Sequence, residues 1–402
     1  MTATRLHDRT TQALRTKRPG RRWSWRDPAL RGVVWQVLVV GAVLVAVGWL
    51  AVNTHQNLMS RRIASGFGFL GSESGLPIGE HLISYAPTDT YFRALLVGSL
   101  NTLRVAVSGI LLATILGTAI GLARLSRNWL LAKFAAVYVE ALRNLPLLLH
   151  LLLIYALLQA LPPPRAALNP LAGIYLSNRG LVLPILEWAP AHGWCLAALA
   201  LGVAGTFAYG RWARWRQAKD GQPRRIAPVA LVLIAGLPTL AAIATDAPLS
   251  TVWPELRGFN FRGGVSLSPE YFALLLGLVL YTAAFIAEIV RAGVLSVRKG
   301  QWEAAQALGL PRSLILRKIV LPQALRVIIP PLINQYLNLT KNSSLAVAIG
   351  FQDIVSVANT TINQTGQAIE GIAIVMAVYL TISLSISLFM NWYNRRTAWA
   401  ER

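Results

Sequence analysis

Several polar residues stand inside stretches that are otherwise apolar. Asn101, Arg104 and Ser108 are spaced i, i+3, i+7 in one such stretch, which puts them on one helical face. Tyr281, Glu288 and Arg291 share a face in a second. Asn334, Asn338 and Lys341 recur at i, i+4, i+7 in a third, followed by Asn342, Ser343 and Ser344. The chemistry open to these groups is solvation of a polar solute rather than bond-making. An ionisable group inside a membrane span costs at least about 2.5–3.5 kcal/mol on the insertion scale, so it normally faces a partner or a wet path. Asn and Ser alone fit interhelical hydrogen bonding equally well. Arg104, Glu288 and Lys341 tip the three stripes towards a shared path lined for zwitterionic or charged solutes. Glu288 and Arg291 can also pair locally, and both lie late enough in their stretch to snorkel. Glu140 and Arg143 read as interfacial. His150 is alone in its stretch and reads as packed or hydrogen-bonded, and no Ser–His or His/Asp/Glu metal arrangement points to an intramembrane enzyme.

A second set of residues belongs outside the apolar stretches. "QWEAAQALGLPRSLILRKIVLP" (Gln301–Pro322) reads as a short helix from Gln301 to Leu308, a break and a second helix. Ala304 and Ala305 leave a low surface that another backbone can approach. Glu303 stands near the helix start, where the dipole favours a carboxylate. Gly309 suits a left-handed helix end and Pro311 the first turn of the next helix. Leu314, Ile315, Ile319 and Val320 can pack that second helix back on the protein, and Leu321-Pro322 stops it. A docking element and an ordinary amphipathic surface loop both fit these features.

The elements that must position these residues are membrane spans. Hydrophobic residues make up 55% of the chain and charged residues 13%, about half the usual globular share, and the mean hydropathy is +0.51. The net charge of +22 raises nucleic acid as a partner, but the basic residues fall in blocks between apolar runs rather than on a recognisable module, so nucleic-acid binding is not expected. Runs near Val33–Val52, Ala94–Ala123, Asn144–Leu161, His192–Tyr209, Pro228–Thr245, Tyr271–Val294, Ala324–Gly350 and Gly371–Trp392 give about eight transmembrane helices, an all-α membrane protein. Basic blocks mark the cytoplasmic side: Arg15, Lys17, Arg18, Arg21, Arg22, Arg26 and Arg31 before the first span, then Arg211, Arg214, Arg216, Lys219, Arg224 and Arg225 after the fourth. Arg298, Lys299, Arg312, Arg317 and Lys318 flank the helix–turn–helix, whereas Phe351–Glu370 holds neither Lys nor Arg. Arg61 and Arg62 run against the trend but are outnumbered. Both termini are therefore expected in the cytoplasm. "RPGRRWSW" before the first run reads as the flank of a retained signal-anchor helix rather than a twin-arginine signal. "SGFGFL" and "GFNFRGG" read as interfacial aromatic anchors, and the single Cys195 as a small packed residue.

"EAAQALG", nine residues, then "IVLP" resembles the EAA loop of ATP-binding-cassette (ABC) importer permeases at Glu303, Ala304, Ala305, Gly309, Ile319, Leu321 and Pro322. "GSLNTLRVA", "EALRNLPLLL", "YTAAFIAEIVRAGVLSV" and "LTKNSSLAVAIG" are similar to the polar amino-acid uptake branch, and the enlarged layout to the larger permease of general L-amino-acid (glutamate, glutamine, aspartate, asparagine) importers. The resemblance implies a five-helix type I permease core in two parts, 91–161 and 271–392. An additional helix at 33–52 follows a basic tail at 1–32, an insertion at 162–270 carries two further spans, and a short tail closes the chain at 393–402. It implies that the loop at 300–322 is a coupling helix seated in a groove of a separate ATPase. It also implies two ATPase copies, a second permease that is a related but different chain, a periplasmic amino-acid-binding protein and a bacterial inner membrane. The chain has no G-x-x-x-x-G-K-S/T phosphate loop, so no cofactor is expected in it and ATP is expected on the partner. The rival is a stand-alone secondary transporter of polar solutes, whose inverted repeats are not evident, although Pro330-Pro331 is expected to interrupt the seventh span.

Overall fold

The computed structural model describes residues 28–60, 65–222, 224–246, 248 and 250–397. The tail residues Arg15 to Arg26, the pair Arg61 and Arg62, and the last five residues lie outside them. The chain forms two units, Met1–Gly66 and Phe67–Arg402. The first contains α1 (Pro28–Ser60), which runs past the expected Val33–Val52 because no Gly or Pro lies between Val52 and Ser60 to end it earlier.

The second unit opens on an irregular segment that leads into α2 (Tyr91–Arg124), N-capped by Thr90. The expected straight third span is instead a bend: α3 (Trp129–Arg143) meets α4 (Leu147–Gln159) at 104°. Pro146 is the cause, since it lacks an N–H and pushes the residue before it out of helical space. Alone, the 13 residues of α4 reach about 20 Å, short of a ~30 Å hydrocarbon core.

The insertion carries the two expected helical passes, α5 (Pro190–Asp220) and the pair α6 (Ile226–Leu231) and α7 (Leu237–Ala244), which are joined by a π turn at Val232–Gly236. It also carries short strands that the apolar pattern did not separate from loop. Strands β1 (Leu168–Leu171), β2 (Ile174–Ser177) and β3 (Gly180–Leu183) form an antiparallel sheet, with β4 (Ile185–Leu186) beyond it. On the return, β5 (Thr251–Val252) pairs with β4, β6 (Glu255–Arg257) pairs with β7 (Asn260–Arg262), and β8 (Val265–Leu267) adds to β3. The last pairing brings the insertion back to the head of the next helix, α8.

Helix α8 (Pro269–Leu295) is the hub of this unit and packs along α2, α4 and the helix after the hairpin. It approaches α2 closely because α2 presents Gly109, Ala113, Gly117 and Gly121 at every fourth position, all buried. A Cβ at Gly117 would lie 2.6 Å from Ile286 Cβ and 2.8 Å from the Ala283 carbonyl oxygen. One at Gly121 would lie 2.7 Å from the Ala287 carbonyl oxygen. Small residues every four positions are a recurrent solution where lipid gives helices no hydrophobic reason to associate.

The hairpin comprises α9 (Lys299–Ala307) and α10 (Arg312–Ile315), and a π turn (Leu316–Val320) feeds directly into α11 (Leu321–Asn342). Two expectations are corrected here. Leu321-Pro322 does not stop a helix: Leu321 N–H donates to Leu316 O across the π turn, and Pro322 sits in the first turn of α11, where its missing N–H is tolerated. Pro330-Pro331 does not interrupt the span either, because α11 runs through both. After a 3-10 turn at Ser343–Ile349, the chain bends by 53° into α12 (Ile354–Thr365) and returns through α13 (Ala368–Thr397). Among the described residues six helices are long and apolar enough to cross a membrane, or up to eight if each bent pair counts as one span.

Candidate functional site

The hairpin is built on an intramolecular cluster and shows its other face to solvent. Val297, Ala305, Ile315, Val320 and Ala324 are buried together, with Trp302, Leu310 and Ile319 packed against them. Ala305, 2% exposed, therefore belongs to the protein's own core, and Glu303, Ala304 and Gly309 are left on the open side. Leu321 is exposed and Pro322 half-buried. The helix begins at Lys299, two residues earlier than its sequence indicates, so Glu303 is its fifth residue and stands outside the first turn. Gly309 has φ +70°; its N–H donates to Gln306 O at 2.9 Å, and that of Leu310 to Ala305 O at 3.2 Å. This left-handed closure turns α9 back on α10 and sets the angle of the exposed face. Pro311 precedes α10 as its cap residue rather than entering its first turn.

The three polar stripes do not converge within one chain. Asn101, Arg104 and Ser108 gather beside the head of α8. Arg104 Nη1 donates to Glu80 Oε2 at 2.7 Å, and the guanidinium lies 4.1 Å from the centre of the Tyr271 ring. Ser108 Oγ and Tyr271 OH are 3.1 Å apart. Asn101 is fully buried, and its Nδ2 donates to Glu80 O at 2.8 Å and Gln352 O at 2.9 Å.

Glu288 and Arg291 lie at the opposite end of the α2–α8 pair. Arg104 and Arg124 are twenty residues apart on α2, about 30 Å at 1.5 Å per residue. The Glu288–Arg291 pair forms as expected, with Arg291 Nη2 donating to Glu288 Oε1 at 2.6 Å. The unforeseen member is Arg124, which also donates to this carboxylate. Its position in the last turn of α2 is the signal that sequence alone offered. One carboxylate thus holds two guanidiniums, all between 15% and 32% exposed. Glu288→Gln leaves both cations facing each other and is expected to lower stability by about 1–2 kcal/mol, between an exposed and a buried pair. Arg124→Gln should cost less, because Arg291 still balances Glu288. Thermal unfolding in detergent reads the order directly.

Tyr281 lies between the two ends, beside His150 and Phe285 with ring centres at 5.9 and 5.0 Å. The third stripe turns outward. Asn334, Asn338 and Lys341 are exposed on α11, opposite its packed Ile328, Tyr336 and Leu339, and Asn342 is half-buried.

Comparison with known proteins places this arrangement. Residues 223–399 match the family described as "Binding-protein-dependent transport system inner membrane component". The Escherichia coli (strain K12) protein YhdX, itself named as a candidate amino-acid ABC transporter permease, is 51% identical, with 94% of this chain and 97% of that one aligned. The general L-amino acid transport system permease protein AapQ of Rhizobium johnstonii is 49% identical over 95% of this chain and 97% of its own length. The glutamate/glutamine/aspartate/asparagine transport system permease protein BztB of Rhodobacter capsulatus is 40% identical over 94% and 96%. With such matches across nearly its whole length, the chain belongs to the amino-acid ABC transporter permeases, the multi-pass inner-membrane components of binding-protein-dependent transport systems.

Proposed function

We propose that this permease subunit carries polar L-amino acids into the cytoplasm as one half of an unlike permease pair. Two ATPase copies hydrolyse ATP beneath the pair, and a periplasmic binding protein delivers the solute. Both termini face the cytoplasm, with α9 on the same side. The observation that carries the reading is the hairpin: Glu303, Ala304 and Gly309 are presented on a short, closed helical unit whose back is anchored by Ala305, Ile315 and Val320. Such a knob passes motion because the anchoring cluster continues into α8 and α11.

The outward stripe on α11 supports a second permease. The side chains of Asn334, Asn338 and Lys341 are exposed and make no hydrogen bond to the described residues, and lipid would be a costly environment for Lys341, about 2.5–3.5 kcal/mol at mid-membrane. A facing permease would cover them and place the solute path between the two chains.

Pull-down of tagged protein from native membranes in mild detergent, followed by mass spectrometry, tests the assembly. An ATPase and a second, different permease are expected in the eluate. Repeated recovery of this chain alone under several detergents, with uptake that persists without ATP in vesicles, would instead favour an ion-driven transporter.

A further inference from the structure

Glu80 is a carboxylate borne by the irregular segment before α2, and it meets a guanidinium and a helix head at once. Its Oε2 accepts from Arg104 Nη1 at 2.7 Å and its Oε1 from the Ser268 N–H at 2.7 Å, at the capping residue that opens the 27-residue α8. Guanidinium and helix head together make a strong carboxylate site. The Tyr271 ring lies against the guanidinium, with its centre 4.1 Å away. Beside it, Asn101 Oδ1 is buried and has no hydrogen-bond partner. The orientation of that amide is set by the two carbonyls its Nδ2 serves, so Oδ1 is a vacant acceptor one turn from Arg104. The Glu80 and Gln352 carbonyls both lie against Asn101, at 2.8 and 2.9 Å from its Nδ2. Gln352 ties the same segment down by accepting from Gly79 N at 2.7 Å and donating to Pro77 O at 2.6 Å.

We propose that Arg104 and the head of α8 form a carboxylate-binding site on the solute path, which Glu80 fills as an internal stand-in. When the 77–80 segment lifts, the α-carboxylate of the travelling amino acid takes the place of Glu80, and Asn101 Oδ1 accepts from its ammonium. A tethered carboxylate is present at an effective concentration of order mM, so stray anions are excluded while a delivered solute competes. This site rests on the importer reading for its solute and for its outward placement. It differs from a plain structural staple in one respect: the staple gains nothing when Glu80 is neutralised.

The test uses the purified permease–ATPase complex without binding protein and measures binding of radiolabelled L-glutamine. Glu80→Gln is expected to tighten binding at least tenfold, and adding Arg104→Gln in the same chain to abolish that gain. The decarboxylated analogue 4-aminobutanamide should bind neither variant. Equal L-glutamine binding by E80Q and E80Q/R104Q, or none by either, overturns the site. If E80Q does not assemble, Gln352→Ala loosens the same segment from the other side and should tighten binding in the same direction; no change there overturns the proposal too. ATPase recovery in each preparation reports separately. Loss of tightening with the ATPase attached sinks the carboxylate site alone. Tightening in a preparation that lacks the ATPase supports the site and counts against the docking of α9.

Discussion

Gly309→Val is expected to reduce amino-acid uptake by roughly 5–30-fold while the protein still reaches the membrane at near-normal levels. The residue has φ +70°, and a Cβ there would meet nothing within 4 Å. The penalty is therefore conformational rather than steric, about 1–2 kcal/mol for a left-handed L-residue, which corresponds to a factor of about 5–30 in population. The chain can relieve it by opening the closure formed through Gln306 O and Ala305 O, which re-aims α9. The spans stay intact because α9 contributes Ala305 alone to the buried cluster there, while Ile315, Val320, Ala324 and Ile328 lie on elements beyond the turn. Uptake in whole cells, normalised to membrane abundance and paired with ATPase recovery in the pull-down, measures the effect. Normal uptake at normal abundance would remove the hairpin from the coupling route.

Gly121→Leu should act by the opposite route and prevent accumulation of folded protein. Its Cβ would fall 2.7 Å from the Ala287 carbonyl oxygen and 2.9 Å from Val290 Cβ, and backbone cannot step aside as a flexible side chain can. Helices α2 and α8 would have to separate along their shared face, which also displaces Arg124 from Glu288. Overpacking of a well-filled interior costs about 1–3 kcal/mol and more where backbone must move. Gly121→Ala should be milder but in the same direction. Membrane abundance together with the thermal midpoint in detergent distinguishes this defect from the uncoupling of Gly309→Val, which leaves both near normal. An abundant, stable Gly121→Leu protein would show that the close approach of the two helices is dispensable.

The Gly-x-x-x-Gly spacing at Gly117 and Gly121 was present in the chain from the start, as was Arg124 at the end of an apolar run. Their meaning depended on which helix lies across from them, and helical periodicity identifies a face without identifying its neighbour. The same limit explains the polar stripes. Spacing puts each on a face, yet one faces the head of α8, the second runs from Tyr281 to the Glu288–Arg291 pair at the other end, and the third points out of the chain. Glu80 carries no sequence signal, because it lies in an irregular segment whose reach no periodic pattern reveals. The strands between Leu168 and Leu267 escaped for a related reason: they are two to four residues long, too short for alternation to stand out from loop.

What the sequence determined by itself is what local physics dictates. Long apolar runs must cross lipid, because unpaired backbone is too costly there in any but a self-satisfied helix. The spacing of Glu303, Gly309 and Pro322 marks a helical turn and a family, since the left-handed closure at Gly309 is a property of a few consecutive residues. Tertiary structure decided everything that required a second element: the passage of α11 through Pro330 and Pro331, and the burial of Ala305 rather than Ala304. It also assigned Arg124 to Glu288 and Glu80 to Arg104. These pairings join residues up to 164 positions apart, and they are selected by close packing, which only the assembled helices create.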